Sequence, residues 1–85
     1  VAYHERGAAH LAKGRADRAI ADFDQAVRHN PNFDIAFHNR GLAYRARGDN
    51  ERAVADFDRA IRINPGFAAA FHNRGLAQHD RGDYD

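Results

Sequence analysis

The chain lacks several residue types on which common protein functions depend. Its 85 residues include no Cys, Met or Trp, and neither Ser nor Thr occurs anywhere. Without Cys there is no disulfide framework and no thiolate metal site. Without Ser, Thr and Cys, the hydroxyl and thiol nucleophiles of covalent catalysis are missing too. No Gly-rich phosphate-binding loop follows a strand, so we expect neither enzymatic activity nor a cofactor.

An excess of charge of one sign and a long apolar run are also lacking. The chain has 13 Lys and Arg against 12 Asp and Glu, a net charge of +1. This balance provides no field to attract nucleic acid or an anionic membrane. No segment is apolar enough to span a bilayer or to act as a secretion signal. We therefore expect a soluble chain, with the cytoplasm slightly favoured, that binds neither nucleic acid nor membranes.

What the chain does contain is an internal repeat. Residues 36–43 return letter for letter as residues 70–77, and residues 2–7 align with the same segment 34 positions earlier. A period of this length is typical of stacked helical units. Proteins built from such units usually act by presenting a surface to a partner.

Each unit contains two helical segments separated by regular breaks. Gly14 and Gly48 fall in mid-unit, and Pro31 and Pro65 close the units. Between these breaks, apolar and small residues recur at spacings of three and four, which indicates helices. The sequence predicts an all-α fold, an α–α superhelix of stacked antiparallel helix pairs. We name the helices of a pair A and B and expect about five of them, at residues 2–13, 17–29, 34–47, 51–63 and 68–81.

In these features the chain resembles the tetratricopeptide repeat family. The family pattern has an aromatic residue, Gly and Tyr on helix A, then Ala-x-x-x-Phe and a closing Pro. The second unit meets this pattern at Phe37, Gly41, Tyr44, Ala53, Phe57 and Pro65. The resemblance implies two complete units, 1–33 and 34–67, and the first helix of a truncated third unit at 68–85. Because the chain begins with Val1 and not with Met, we expect it to be part of a longer protein.

One departure from the family pattern recurs in every unit. The Leu that precedes the Gly is replaced by Arg6, Arg40 and Arg74, and the B helices carry Asp-Phe-Asp at 22–24 and 56–58. A partly buried guanidinium normally needs a carboxylate partner, so we expect a ladder of ion pairs between helices, with contact to a partner protein as the alternative. We also expect ion pairs between residues four apart on the B helices: Arg18 with Asp22, Asp24 with Arg28, Arg52 with Asp56, and Asp58 with Arg62.

The histidines point to a binding surface. His4, His38 and His72 hold one equivalent position in the three units and would form a column along the A helices. The resemblance implies that the A helices line a concave groove for an extended peptide or a partner helix, and the column has no evident packing role. Exposure without function is the alternative. We expect no metal site, because zinc-binding helices place two His four residues apart and no pair here does.

The same face carries further candidate contacts. Asn39 and Asn73 can hydrogen-bond a peptide backbone. Leu42 and Leu76 can supply apolar contact, although packing between units would explain them equally well. If the histidines of this column contact the partner, affinity should respond to pH near about 6.5. The full predicted groove comprises His4, Ala8, Ile35, His38, Asn39, Leu42, Arg45, Ala69, His72, Asn73, Leu76 and His79.

Two functions follow from this sequence. The first is a scaffold or adaptor that binds a protein or peptide partner in the groove. The clamp with which some family members hold a chaperone's C-terminal carboxylate is matched only at Asn39, so we expect that peptide class to bind poorly. The alternative is self-association through the open ends of the array, by end-to-end stacking or helix exchange, because the third A helix lacks its own B helix. This homo-oligomer would use Phe71, Gly75 and Gln78.

Overall fold

A computed structural model of the chain describes residues 2–82. In this part the chain forms five α-helices and no strand. The helices are α1 (Tyr3–Ala12), α2 (Ala16–His29), α3 (Asp34–Ala46), α4 (Asn50–Ile63) and α5 (Ala68–Arg81). The predicted all-α fold is confirmed, and each helix end lies within one residue of its predicted position. The outermost residues of the predicted first and third units, 1 and 83–85, lie outside the described residues.

The breaks between the helices are set by residues that the helical conformation disfavours. Gly14 and Gly48 follow α1 and α3 with φ of 75° and 87°, the left-handed region that favours Gly. Asp49 caps α4, since its side chain accepts a hydrogen bond from the backbone N–H of Arg52 at 3.2 Å. The A helices are therefore followed at once by the turn that reverses the chain into the B helix.

A close approach of backbone and ring joins helices A and B of each pair. A Cβ added to Gly41 would lie 2.7 Å from the ring of Phe57, and one added to Gly7 would lie 2.8 Å from Phe23. Both rings are fully buried. Gly is needed on the A helix because any other side chain would occupy the space of the ring.

The buried apolar residues form a row of clusters along the array, which we call seams. Each seam lies between a B helix and the A helix that follows it. Phe23 packs with Ala19, Ile20 and, from the next A helix, Ala43. The next seam repeats this arrangement and comprises Ala53, Val54, Phe57 and Ala77. Each seam is thus closed by an Ala of the following A helix, so each unit depends on its neighbour for burial.

Arginines of the A helices form the predicted ladder of ion pairs. Nε and Nη2 of Arg40 donate to the two carboxylate oxygens of Asp56, both at 2.8 Å, and Nη1 donates to Asp24 at 2.9 Å. Arg6 binds Asp22 in the same bidentate way at 2.8 and 2.7 Å, and its hydrogen bonds lower the pKa of Asp22. The ladder is confirmed.

The ion pairs predicted between residues four apart on the B helices are wrong. Asp22 and Asp56 are only 5% exposed and turn toward the A helices, where the arginines hold them. Asp24 and Asp58 bind arginines of the following A helix instead. Within residues 2–82, no helix combines the length and the apolar character needed to cross a bilayer.

Candidate binding groove

The A helices lie side by side along the array. Helix α1 contacts α3, and α3 contacts α5, whereas α2 and α4 make no contact with each other in the described part of the chain. An array in which the A helices are closer together than the B helices curves with the A helices on its inner side. The predicted groove residues all lie on the three A helices or in the first turn of one.

Hydrogen bonds link the histidine column to the asparagine column. The amide Nδ2 of Asn39 lies 3.0 Å from Nε2 of His4, and that of Asn73 lies 2.9 Å from Nε2 of His38. An amide nitrogen can only donate, so in each pair the ring nitrogen is placed as the acceptor. Both pairs join one A helix to the next and so bridge neighbouring units.

The histidine rings also pack against phenylalanines. His38 lies between Phe57 of α4 and Phe67 of the following turn, with ring centroids 5.6 and 4.8 Å away. His4 lies between Phe23 and Phe33 in the same arrangement. The expectation that these histidines have no packing role is wrong. The phenylalanines of the two equivalent turns, Phe33 and Phe67, lie 34 residues apart. This spacing is the sequence signal that could have predicted their packing against the histidines.

Burial separates His38 from the other two histidines. It is 8% exposed, His4 is half-buried, and His72 is exposed. Burial lowers the pKa of His38 below its usual value, because a charged imidazole would lose its hydration there. The pH response of partner binding stays a prediction.

The two leucines have different surroundings. Leu42 is half-buried and packs against the seam formed by Ala53, Val54, Phe57 and Ala77, which agrees with packing between units. Leu76, at the equivalent position of α5, is 38% exposed, and Ile35 at the start of α3 is 46% exposed. These two are the large apolar side chains that the described part of the candidate groove exposes.

Charged residues mark one end of the candidate groove. Nη2 of Arg45 donates to Asp80 at 3.0 Å, and a depression beside this pair is lined by Leu42, Arg45, Ala46 and Asp80. Asp80 was not predicted as part of the site. It lies 35 residues beyond Arg45, the same separation as in the two His–Asn pairs.

The predicted groove residues thus fall into three groups. Ile35, Ala69, His72, Leu76 and His79 are exposed. His4, Ala8, Asn39, Leu42, Arg45 and Asn73 are half-buried, and His38 is buried. No cluster of three or more metal-ligating side chains occurs among residues 2–82.

The family assignment rests on matches to family models. A model described as TPR repeat matches residues 41–82, and two described as Tetratricopeptide repeat match residues 1–33 and 23–55. Together they extend from residue 1 to residue 82. A search of the curated proteins finds none that matches the chain.

Several solved structures have the same fold. The TPR domain of Sgt2 from Aspergillus fumigatus is 33% identical with a TM-score of 0.92, and the match covers 96% of this chain and 54% of that one. The MamA protein is 29% identical with a TM-score of 0.91, over 94% of this chain and 44% of that one. The second TPR domain of human RPAP3, solved with the HSP70 peptide SGPTIEEVD, is 26% identical with a TM-score of 0.93, over 96% and 68%.

This chain spans about half the length of the first two of these structures. Three observations agree on the family. The family models match along the chain, the two helix pairs pack a Gly against a Phe ring, and solved repeat domains have the same fold. The chain belongs to the tetratricopeptide repeat family.

Proposed function

We propose that the chain is a protein-interaction module that binds a peptide or helix of a partner protein along the inner face of the A helices. The observation that carries this proposal is the exposure of Ile35 and Leu76 beside the polar row of His–Asn pairs. Exposed apolar side chains suit a partner that buries apolar side chains of its own against them. The human RPAP3 domain, with a peptide bound, supports the general mode of action.

The partner's contacts would come from the exposed groove residues. His38 and Asn73 already satisfy each other, and so do His4 and Asn39, so these pairs would fix the shape of the groove and leave contact to Ile35, His72 and Leu76. We retain the prediction that the chain is not an enzyme and does not bind nucleic acid.

The test is a selection from a displayed peptide library, followed by affinity measurements on variants of the chain. Ile35→Asn and Leu76→Asn should weaken the selected peptides about tenfold or more, because each removes a buried apolar contact. Ala21→Asn and Ala55→Asn are matched controls at exposed positions of the B helices and should bind as the parent does. Equal affinities for all four variants would reject the groove.

The positions of the carboxylate clamp found in some family members indicate which peptides this chain should bind poorly. These are His4, Ala8, Asn39, Ala69 and Asn73 in this chain, which include no cation of the Lys or Arg type. The one matching residue, Asn39, is engaged by His4. We predict that SGPTIEEVD binds only weakly, with a Kd above about 1 mM, and that amidation of its C-terminus changes this little. Tight binding that amidation abolishes would contradict the prediction.

The second candidate function is self-association through the outer face of α5. Phe71 on this face is 43% exposed, and a Cβ added to Gly75 would meet nothing within 4 Å. Gln78, further along the face, is half-buried. Sedimentation velocity over a range of concentrations tests this candidate. A dimer that Phe71→Asn dissociates would support it, and a monomer at the highest concentration would reject it.

A further inference from the structure

Three cations near the turn between α1 and α2 are not neutralised by the arginine ladder. Arg18 lies four residues before Asp22, but Asp22 is held by Arg6. Lys13 and Arg15, in the turn itself, are exposed, and neither they nor Arg18 form an ion pair among residues 2–82. The chain as a whole is almost neutral, yet its charge is unevenly distributed because the ladder takes up the carboxylates of the B helices.

A depression of about 370 Å³ lies beside these cations, between the first and second units. Arg15 and Arg18 line it on one side, and Arg47, just after α3, lines it on the other. Nη1 of Arg47 donates to Asp17 at 3.1 Å, so an ion pair connects the two sides. The volume is within the range of about 300–1,000 Å³ that is usual for small-ligand sites.

The equivalent turn of the second unit has a different charge pattern. At the position of Arg15 it carries Asp49, 34 residues later. Asp49 caps α4 and also pairs with Arg52, the equivalent of Arg18, at 3.5 Å. Both turns contain a Gly in the left-handed region, with φ of 75° and 87°, so the same backbone forms with either set of charges. The cations of the first turn are therefore not needed to build the turn.

The charge of the lining indicates which ligand would fit. Three arginines and one aspartate give the lining residues a net charge of +2. A phosphomonoester carries about −1.5 to −2 charges near pH 7 and three acceptor oxygens, whereas a carboxylate carries one charge and two oxygens. Guanidinium groups donate in pairs to phosphate oxygens. Arginines on two sides of a depression therefore suit a phosphate better than a carboxylate.

We propose that this depression, which we call the turn site (Arg15, Arg18 and Arg47), binds the phosphate of a phosphorylated side chain in a partner peptide. Arg15 and Arg18 donate to the phosphate from one side, and Arg47 donates from the other. Ala46 lines both the turn site and the depression at the charged end of the candidate groove, so the two sites adjoin. Delivery of the phosphate by a peptide in the groove rests on the proposed function, whereas phosphate binding can be measured without it.

The probe is a short peptide with phosphoserine between glycines, because it has no other side chain that could enter the groove. Two-dimensional ¹H–¹⁵N NMR at constant, low ionic strength should show saturable shifts of the backbone amides of residues 14–18 and 47. We expect a Kd of about 1–5 mM, since the arginines are exposed and partly screened by salt. The same peptide with Asp in place of phosphoserine should bind at least about fivefold more weakly.

Variants of the chain test which groups bind the phosphate. Arg18→Gln and Arg47→Gln should each weaken binding at least about threefold, because each removes a donor pair. Arg62→Gln is the matched control: Arg62 is exposed, lies at the opposite end of α4 and carries the same charge, so this variant should bind as the parent does.

Asp17→Asn should strengthen binding at least about twofold. It removes the single carboxylate among the described lining residues and releases Arg47 for the phosphate. A gain of affinity cannot result from a loss of folded structure, and circular dichroism establishes that the weakened variants are folded.

Three results would overturn the proposal. The first is no saturable shift of residues 14–18 and 47 with the phosphoserine peptide at concentrations up to about 20 mM. The second is equal affinity of the parent chain, Arg18→Gln and Arg47→Gln. The third is binding to phosphatidylcholine vesicles that contain phosphatidic acid, without binding of the peptide, which would assign the site to a lipid headgroup. The groove is tested separately, by library selection and the Ile35 and Leu76 variants, so either site can fail without the other.

Discussion

At the scale of single residues, identical letters have different surroundings. Gly7, Gly41 and Gly75 hold one position of the repeat, yet only the first two lie against a phenylalanine ring. The packing demand on this position comes from the B helix that covers it. Replacing Gly by Ala should therefore have opposite effects on the free energy of unfolding at Gly41 and at Gly75.

We expect Gly41→Ala to lower the free energy of unfolding by about 1–3 kcal/mol, because the ring of fully buried Phe57 cannot move away from a Cβ at 2.7 Å. Gly75→Ala should raise it by up to about 1 kcal/mol, since Ala is the better helix former and the added Cβ meets no atom. Urea unfolding of both variants measures the difference. A change of the same sign in both would contradict this account of the seam.

A buried histidine makes stability depend on pH. Burial lowers the pKa of His38 in the folded chain, so the unfolded chain takes up this proton first as pH falls. The contribution of His38 is complete above pH about 6.5, the ordinary pKa of an unfolded His, and is lost progressively below it. Protonation of Nε2 would also place a donor opposite the amide of Asn73.

We therefore expect the free energy of unfolding of the parent chain to fall between pH 7.5 and about 5, and to fall less steeply in His38→Asn. Urea unfolding at several pH values gives the slopes, and comparing slopes removes the stability cost of the substitution itself. His72→Asn, at the exposed equivalent position, is the control and should keep the parental slope. Equal slopes for the parent and His38→Asn would contradict the prediction.

At the scale of helices, each pair of A and B helices is held together by an apolar seam and by an ion pair between Arg and Asp. Arg40 pairs with Asp56 of its own unit and with Asp24 of the preceding one, so it joins α3 to both neighbouring B helices. Its own side chain is 20% exposed, and that of Asp56 is 8% exposed. Replacing one partner of such a pair leaves a poorly hydrated charge behind.

Asp56→Asn should lower the free energy of unfolding by about 3 kcal/mol, because Arg40 keeps Asp24 but loses its bidentate partner. Asp17→Asn is the matched control. Asp17 pairs with Arg47, but its side chain is 82% exposed, so the cost should stay below about 1 kcal/mol. Chemical denaturation of the two variants provides the comparison. Similar losses in the free energy of unfolding would show that burial of the Arg40–Asp56 pair contributes little to stability.

At the scale of the whole molecule, the chain is a short linear stack. Its dimensions are 42 × 26 × 16 Å, and its seams follow one another along the array. Helices α2, α3 and α4 each pack against the helix before and the helix after them, whereas α5 packs mainly on α4. Stability in such an array is a sum over units and their interfaces, so the ends open first.

We predict that amide hydrogen exchange is slowest in α3 and α4 and fastest in the second half of α5. The helical hydrogen bonds of α5 have one packed neighbour to protect them, whereas those of α3 are protected from two sides. Exchange followed by NMR at neutral pH measures this order. Uniform protection from α1 to α5 would mean that the chain opens only as a single unit.

The sequence alone predicted the helices, their bounds and the arginine ladder. These features depend on short-range signals: Gly and Pro at the breaks, helical spacing between them, and charges that recur with the 34-residue period. The surroundings of His38, Leu42 and Leu76 could not be predicted in this way. His38 and Leu42 depend on residues contributed by a turn or by the next unit, and Leu76 depends on how much of α5 remains uncovered.

The sequence by itself determined the architecture, because a repeat of helical period that cannot bury its own apolar face must stack on its neighbours. The tertiary structure decided which equivalent residues are available to a partner. It buried His38, exposed His72, and left two nitrogens of Arg74 without an acceptor in the described chain. The physical reason is that a residue's environment comes from the units on either side, and these differ between the middle and the ends of the array.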